Sequence, residues 1–206
     1  VCPNCNIQSQ KILSNEQKSQ LNDTESVVGK RSDLDQSRSS GSEIQSNKKF
    51  FKYPDIERLG SEENNEILLF DTDQLVIEEK VDGGNGSFWL DEETGLTYEG
   101  SRNRNLVTDQ DEKTFIKQRT KLREILKDKK LNLDYIYYIE WMAKHTIYYT
   151  KSPDVIGIDI RLKHSANQEG CGLLLGRETR EQEFTRLGIE NVPLIWKGTA
   201  KELKQV

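Results

Sequence analysis

The sequence predicts an α+β fold that is rich in antiparallel sheet. Short apolar strands recur along the chain, and two of them flank a hairpin-type turn. Single helices stand between strands, and no internal repeat is present. At 206 residues, the chain has the length of one domain with an added tail.

The tail is predicted at the N-terminus, over residues 1–47, and it is expected to be disordered. Residues 6–47 are rich in Ser, Gln, Asn, Asp and Lys, and they show no sustained apolar period. At "KKFFKYPDIERLG" (48–60) aromatic residues, a proline and a turn signal appear together. The folded domain is therefore expected to span residues 48–206.

Composition restricts the classes of protein that the chain could represent. The net charge is -5, so no overall basic character indicates nucleic-acid binding, although a local basic surface is compatible with that sum. No apolar run approaches the length of a membrane span, and no secretory pattern opens the sequence. A cytoplasmic or nuclear protein without a membrane partner is expected.

The cysteines offer an incomplete metal site. Cys2 and Cys5 form a C-P-N-C knuckle that resembles half of a zinc site. The other candidate ligands, Cys171, His145 and His164, are scattered without ligand spacing. Unpaired thiols are the favoured interpretation, and no metal ligand is assigned.

The secondary structure follows from apolar patterning and turn signals, taken in chain order. Strand-like patterns occupy 75–80, 87–90, 96–101, 135–142, 154–162 and 192–198, and "DEETG" (91–95) forms the hairpin turn. Thr108 is a candidate cap for a first helix, whose apolar spacing runs from Phe115 to Leu126. A second helix is predicted near 178–187.

One lysine, Lys80, ends the strand at 75–80 and precedes the turn "DGGNG" (82–86). It has two interpretations. In the first, the lysine is a solvated cation beside a turn whose glycines Gly83, Gly84 and Gly86 adopt positive φ. In the second, Lys80 is a nucleophile: burial at the strand end lowers its pKa, and the glycines let a triphosphate approach.

The surrounding residues resemble those of ATP-dependent RNA ligases. Lys80-Val81-Asp82-Gly83 matches the K-x-D-G motif of the nucleotidyltransferases that include polynucleotide ligases and mRNA capping enzymes. Further blocks resemble RNA ligase segments in family order: "YPDIERLGSEENNEI" (53–67), "EGSRNR" (99–104), "YYIEWMAKHTIYY" (137–149), "DVIGIDIRL" (154–162) and "LGIENVPLIWKG" (187–198). The first of these blocks disfavours a DNA ligase or a capping enzyme.

This resemblance implies the antiparallel-sheet-rich, ATP-grasp-like fold of a ligase nucleotidyltransferase domain. It also implies the cofactors ATP and Mg²⁺ and, as partners, RNA ends with a 5′-phosphate and a 3′-hydroxyl. Lys80 would attack the α-phosphate of ATP and hold AMP as a phosphoamide. The same resemblance assigns nucleotide binding to Glu79, Asp82, Asn85, Arg102 and Glu140, with Arg104 as the alternative to Arg102.

Two departures separate the chain from the family pattern. The family closes its site with an E-G-apolar strand and a lysine-bearing strand, and nothing after Gly198 supplies them; Glu169-Gly170 stands out of family order. Ile158 occupies a position where the family has an aromatic residue that stacks on adenine. We therefore expect an incomplete adenylyltransferase domain, with a non-catalytic nucleotide- or RNA-end-binding protein as the alternative.

Overall fold

The computed structural model describes residues 49–56, 70–106, 111, 113–143, 146–165 and 172–203. The predicted tail, the proposed Thr108 cap and part of the block at 53–67 lie outside the described residues. So do Cys2, Cys5, His145, Glu169, Gly170 and Cys171. Among the helices that are described, none combines the length and the apolar character needed to cross a bilayer.

The described elements confirm the α+β prediction. The strands are β1 (Gln74–Glu78), β2 (Gly84–Leu90), β3 (Thr97–Ser101), β4 (Tyr135–Trp141), β5 (Val155–Leu162), β6 (Glu190–Asn191) and β7 (Leu194–Thr199). The helices are α1 (Ile116–Leu126), α2 (Arg177–Leu187) and the short α3 (Ala200–Leu203), with a 3₁₀ turn at Lys163–Ser165.

The strands form two sheets. A five-stranded sheet has the order β3-β2-β4-β5-β6, and β1 pairs with β7 in a separate two-stranded sheet. All pairings are antiparallel except β5 with β6, which is parallel. The hairpin turn between β2 and β3 lies where it was predicted, with Gly95 at a φ of 67°.

The two faces of the five-stranded sheet are covered differently. One face packs against α1 and α2, and we call it the helix-covered face; its core includes Phe88, Tyr137, Trp141, Leu122 and Phe184. On the opposite face, residues 49–56 contribute Phe51 and Tyr53 to a cluster with Trp89, Ile136 and Tyr138. The central strand β4 is thus buried from both sides, which explains its nearly continuous apolar run.

Several element boundaries differ from the predictions: β1 ends at Glu78, before Lys80, and β2 begins at Gly84, inside the predicted turn at 82–86. Helix α1 begins at Ile116, because Lys113–Phe115 form a turn and Phe115 has a φ of 53°. The strand predicted at 192–198 begins only at Leu194, as β7, and Pro193 lies in the break between β7 and the short strand β6, which ends at Asn191. A proline cannot donate a ladder hydrogen bond, which accounts for the break.

A buried ion pair joins α1 to the sheet. Glu99 on β3 is 4% exposed, and Arg119, which was predicted only as part of the helical spacing, is 6% exposed. Arg119 Nε donates to Glu99 Oε2 at 2.6 Å, and its other nitrogens donate to the carbonyls of Asp111 and Leu106 at 2.7 and 3.0 Å. Arg123 also pairs with Glu99, at 2.7 Å.

Glu99→Gln is expected to lower the free energy of unfolding by about 3 kcal/mol, because it leaves a buried guanidinium without its counter-charge. Lys121→Ala is the matched control, since its pair with Glu124 is about half exposed on each side. Its cost should stay below about 1 kcal/mol. Urea denaturation measures both values, and equal costs would contradict a structural role for the buried pair.

Candidate active site

Lys80 stands in a tight turn between two anchored residues. The amide N–H of Glu79 donates to the carbonyl of Pro193 at 3.0 Å, and that of Val81 donates to the carbonyl of Glu79 at 3.1 Å. Val81 is buried against Met142 and Val192. The backbone of the turn is therefore fixed on both sides of the lysine.

The Lys80 side chain itself is exposed. The expectation that the strand end buries this lysine is therefore wrong. The strand β1 already ends at Glu78, so Lys80 lies in the following turn and its amine reaches solvent.

Glu140 and Asn85 lie side by side. They are directly paired residues of the antiparallel strands β4 and β2, so their side chains share one face of the sheet, opposite the helix-covered face. The amide N–H of Gly83 donates to Glu140 Oε1 at 3.0 Å. This bond connects the turn that follows Lys80 to the carboxylate on the central strand.

The charged groups that act on Glu140 show which other predicted site residues lie near it. Partial burial raises the pKa of its carboxyl group, whereas the hydrogen bond from Gly83 and the positive charges of Lys80 and Arg102 lower it. The nearby carboxylate of Asp82 raises it again. The structure therefore brings Lys80, Asp82 and Arg102 into the electrostatic neighbourhood of Glu140. Glu79 is half-buried beside them in the chain.

Asp82 anchors a neighbouring loop. Its Oδ2 accepts hydrogen bonds from the backbone and hydroxyl groups of Thr146 and from the amide of Ile147, the last at 3.1 Å. Its own amide donates to the hydroxyl of Tyr149 at 2.9 Å. In this structure the carboxylate fixes the loop against the lysine turn, and its assignment to nucleotide binding stays a prediction.

The glycines after Lys80 serve close packing and do not adopt positive φ. Among the described glycines, positive φ occurs at residues 95, 172 and 188 only, so that part of the turn interpretation is wrong. A Cβ on Gly86 would lie 2.1 Å from the Trp141 ring, and one on Gly84 would lie 2.7 Å from the Phe115 ring. A Cβ on Gly83 would meet Glu140 at 2.7 Å. Side chains of the fold thus fill the positions that Cβ atoms at these three glycines would take, so close packing alone requires glycine there.

The two candidate arginines have different partners. Arg104 Nη2 lies 2.6 Å from Oδ1 of Asp111, a buried carboxylate that it helps to neutralise. Arg102 Nη2 lies 3.3 Å from Asp55 Oδ1, and both side chains are about two-thirds exposed. Lys52 and Arg102 together lower the pKa of Asp55. Among the described residues, the ion pair of Arg102 is this weak surface contact, which favours Arg102 over Arg104 as a ligand for phosphate.

A buried ionic network beside the site was not predicted from the sequence. Arg180, 4% exposed, lies 3.0 Å from Asp159 and pairs with Glu78, which also pairs with Arg177. The Tyr53 hydroxyl donates to Asp159 at 2.5 Å, and burial together with Asp159 raises the pKa of Tyr53. The network ties β1, which leads to Lys80, to α2 and β5. Only the i, i+3 spacing of the two arginines hinted at a shared face.

Ile158 occupies a bulge in β5. Tyr138 pairs with Asp159 and the next residue of β4, Ile139, pairs with Gly157, so Ile158 has no partner on the neighbouring strand. Bulges re-aim side chains and occur next to active sites. The position where the RNA ligase pattern has an aromatic residue is thus a local irregularity of the sheet, and Ile158 is half-buried there.

Comparison with known proteins gives one family and one fold. A family model described as RNA ligase matches residues 73–206. Two solved forms of an archaeal ATP-dependent RNA ligase align with TM-scores of 0.51 at 18% and 19% identity, covering 75% and 73% of this chain and 39% and 38% of theirs. A putative ATP-dependent DNA ligase from Aquifex aeolicus aligns with a TM-score of 0.50 at 20% identity, covering 76% of this chain and 42% of its own. The curated proteins contain no match.

The structural likeness shows the fold, and it confirms the expected ligase-type nucleotidyltransferase architecture. This chain spans about two-fifths of the length of these solved structures. The family model extends from Asp73 to Val206, well over half of the chain, and includes the lysine turn, Glu140 and the strands that carry them. The chain belongs to the RNA ligase family.

Proposed function

We propose that this chain is the adenylyltransferase domain of an ATP-dependent RNA ligase, with Lys80 as the nucleophile. One observation carries the proposal. In a member of the RNA ligase family, the turn that bears Lys80 is hydrogen-bonded through Gly83 to Glu140, which is paired with Asn85. A cation, a carboxamide and a carboxylate are thus gathered at one end of the sheet.

In the proposed first step, the neutral amine of Lys80 forms a P–N bond with the α-phosphorus of ATP. The bond from that phosphorus to the bridging oxygen breaks, pyrophosphate leaves, and the amine loses a proton. AMP then passes to the 5′-phosphate of an RNA, which frees Lys80. Finally, the 3′-hydroxyl attacks this 5′-phosphorus and expels AMP, sealing the strand. Covalent capture divides one difficult substitution into easier ones.

The other residues have roles that suit their chemistry. Asn85 would donate to a phosphate or ribose oxygen without adding charge. Arg102 would pair with a phosphate through its planar fork. Glu140 would accept from a ribose hydroxyl, and Glu79 would contact the adenine. Asp82 would contact the nucleotide from its position in the lysine turn.

The side chains at the site are suited to binding a nucleoside triphosphate together with a divalent cation. Two exposed cations, Lys80 and Arg102, lie in the neighbourhood of the half-buried Glu140. In the described part of the chain no group of three or more His, Cys, Asp or Glu residues forms a metal cage. Mg²⁺ is commonly held by one or two carboxylates plus substrate phosphates, and Glu140 would help to place it. The ion would neutralise phosphate charge.

A second candidate is reversible binding of a nucleotide or RNA end without chemistry. The exposed position of Lys80 suits it, because a lysine that reaches solvent can contact a phosphate group without forming a covalent bond. ATP and RNA both occur in the cytoplasm and the nucleus, where we expect the protein in either case.

Incubation with ATP labelled at the α-phosphate distinguishes these candidates. The protein should retain the label after denaturation and release one pyrophosphate per label. Lys80→Ala should retain none, because the attacking amine is gone. Lys151→Ala, a change of another exposed lysine, should label normally. Label that binds but is lost on denaturation would favour the non-covalent candidate and contradict the proposed step.

Substitution of the two arginines should separate nucleotide binding from stability. Arg102→Ala should weaken ATP binding about tenfold, because a charge-assisted hydrogen bond is lost, while changing stability by less than about 1 kcal/mol. Arg104→Ala should lower the unfolding free energy by about 2 kcal/mol and leave ATP affinity unchanged. Calorimetric titration and urea denaturation measure the two quantities. The reverse pattern would shift the nucleotide contact to Arg104.

A further inference from the structure

The loop at residues 146–149 is bound tightly to the lysine turn. Asp82 accepts three hydrogen bonds from Thr146 and Ile147 at one end of the loop. At the other end, the Tyr149 hydroxyl accepts from the amide of Asp82 at 2.9 Å. Both ends of this short loop are therefore attached to a residue only two places after Lys80.

Tyr148 stands between the two attachments, and its side chain faces solvent. It is 86% exposed, the highest value among the large hydrophobic side chains that the structure describes. Its neighbour Tyr149 packs against the cluster of Val81, Met142, Ile156 and Val192. The loop thus uses one tyrosine to fix itself and presents the next one outward.

An exposed aromatic ring on a tethered loop suits stacking on a base. Single-stranded RNA is held by bases stacked on aromatic side chains together with cations that contact the backbone. Lys151 follows Tyr148 by three residues in the chain. Lys80 precedes Asp82, to which the loop is hydrogen-bonded, by two residues. Both lysines are exposed. The loop therefore combines a π face with nearby positive charge.

We propose that Tyr148 stacks on the base of the RNA nucleotide that carries the 5′-phosphate. The assignment to this nucleotide rests on the proposed function, which brings the 5′-phosphate to AMP held on Lys80. The adenine of ATP is the poorer candidate. A small ligand has most of its surface buried by its site, and a ring that is 86% exposed offers little enclosure. An RNA strand has additional contacts along its backbone.

Fluorescence anisotropy with a 5′-phosphorylated single-stranded RNA labelled at its 3′ end tests the proposal. Tyr148→Ala should weaken binding about tenfold, the loss expected when one base stack is removed. Tyr148→Phe and Tyr148→Trp should retain affinity, since the π face is what binds. Leu96→Ala should have no effect: Leu96 is 62% exposed but lies beyond the opposite end of β2 from the lysine turn.

The same RNA with an abasic 5′-terminal nucleotide identifies the base. The unmodified protein should bind the abasic RNA about tenfold more weakly than the intact RNA. Tyr148→Ala should then cause no further loss. If the substitution weakens both RNAs equally, or neither, Tyr148 does not stack on this base and the proposal is overturned.

Labelling with ATP keeps this proposal distinct from the proposed function. Tyr148→Ala should acquire the AMP label at the rate of the unmodified protein. A variant that loses labelling and retains RNA affinity would assign the ring to the adenine of ATP, which overturns the proposal. If no protein is labelled but the coupling between Tyr148 and the terminal base is present, the base contact stands and the adenylylation chemistry fails.

Discussion

The pairing of β2 with β4 is the constraint on which the candidate site depends. It places Asn85 directly opposite Glu140, on the face away from α1 and α2, and it aligns Gly83 to donate to the Glu140 carboxylate. A slip of one residue in this register would turn Glu140 toward the apolar helix-covered face and bring Trp141 out of it. The register of β4 against β2 therefore places Glu140 and Asn85 on the face away from the helices, and the hydrogen bond from Gly83 connects the lysine turn to that face.

Two further sets of contacts fix the surroundings of this pair. Glu78, two residues before Lys80, is held by Arg177 and Arg180 of α2, and Asp82, two residues after it, holds the loop at 146–149. The backbone on each side of the lysine is thus anchored to a different part of the fold, while the lysine side chain stays exposed. This arrangement restricts where the amine can be and leaves it accessible to a substrate.

Much of the fold could be predicted because β4 and β5 are short runs rich in β-branched and aromatic residues, whereas apolar residues recur at helical spacing along α1. The lysine turn and its neighbours were found through the resemblance to RNA ligases. Features set by tertiary contacts were not predictable. Gly84 and Gly86 are small because Phe115 and Trp141 fill the space, and Arg119 is buried because Glu99 and two carbonyl groups receive it. The residues next to these positions in the chain do not indicate such partners. Positive φ was therefore wrongly expected at glycines that are required by close packing.

The location of a covalent nucleotide tests the central claim most directly. After incubation with ATP and Mg²⁺, the protein would be digested and its peptides sequenced by tandem mass spectrometry under conditions that preserve a phosphoamide. The account predicts one AMP, attached to Lys80 in the peptide that contains the turn between β1 and β2. AMP on a different lysine, or ATP that binds without any covalent adduct, would contradict it.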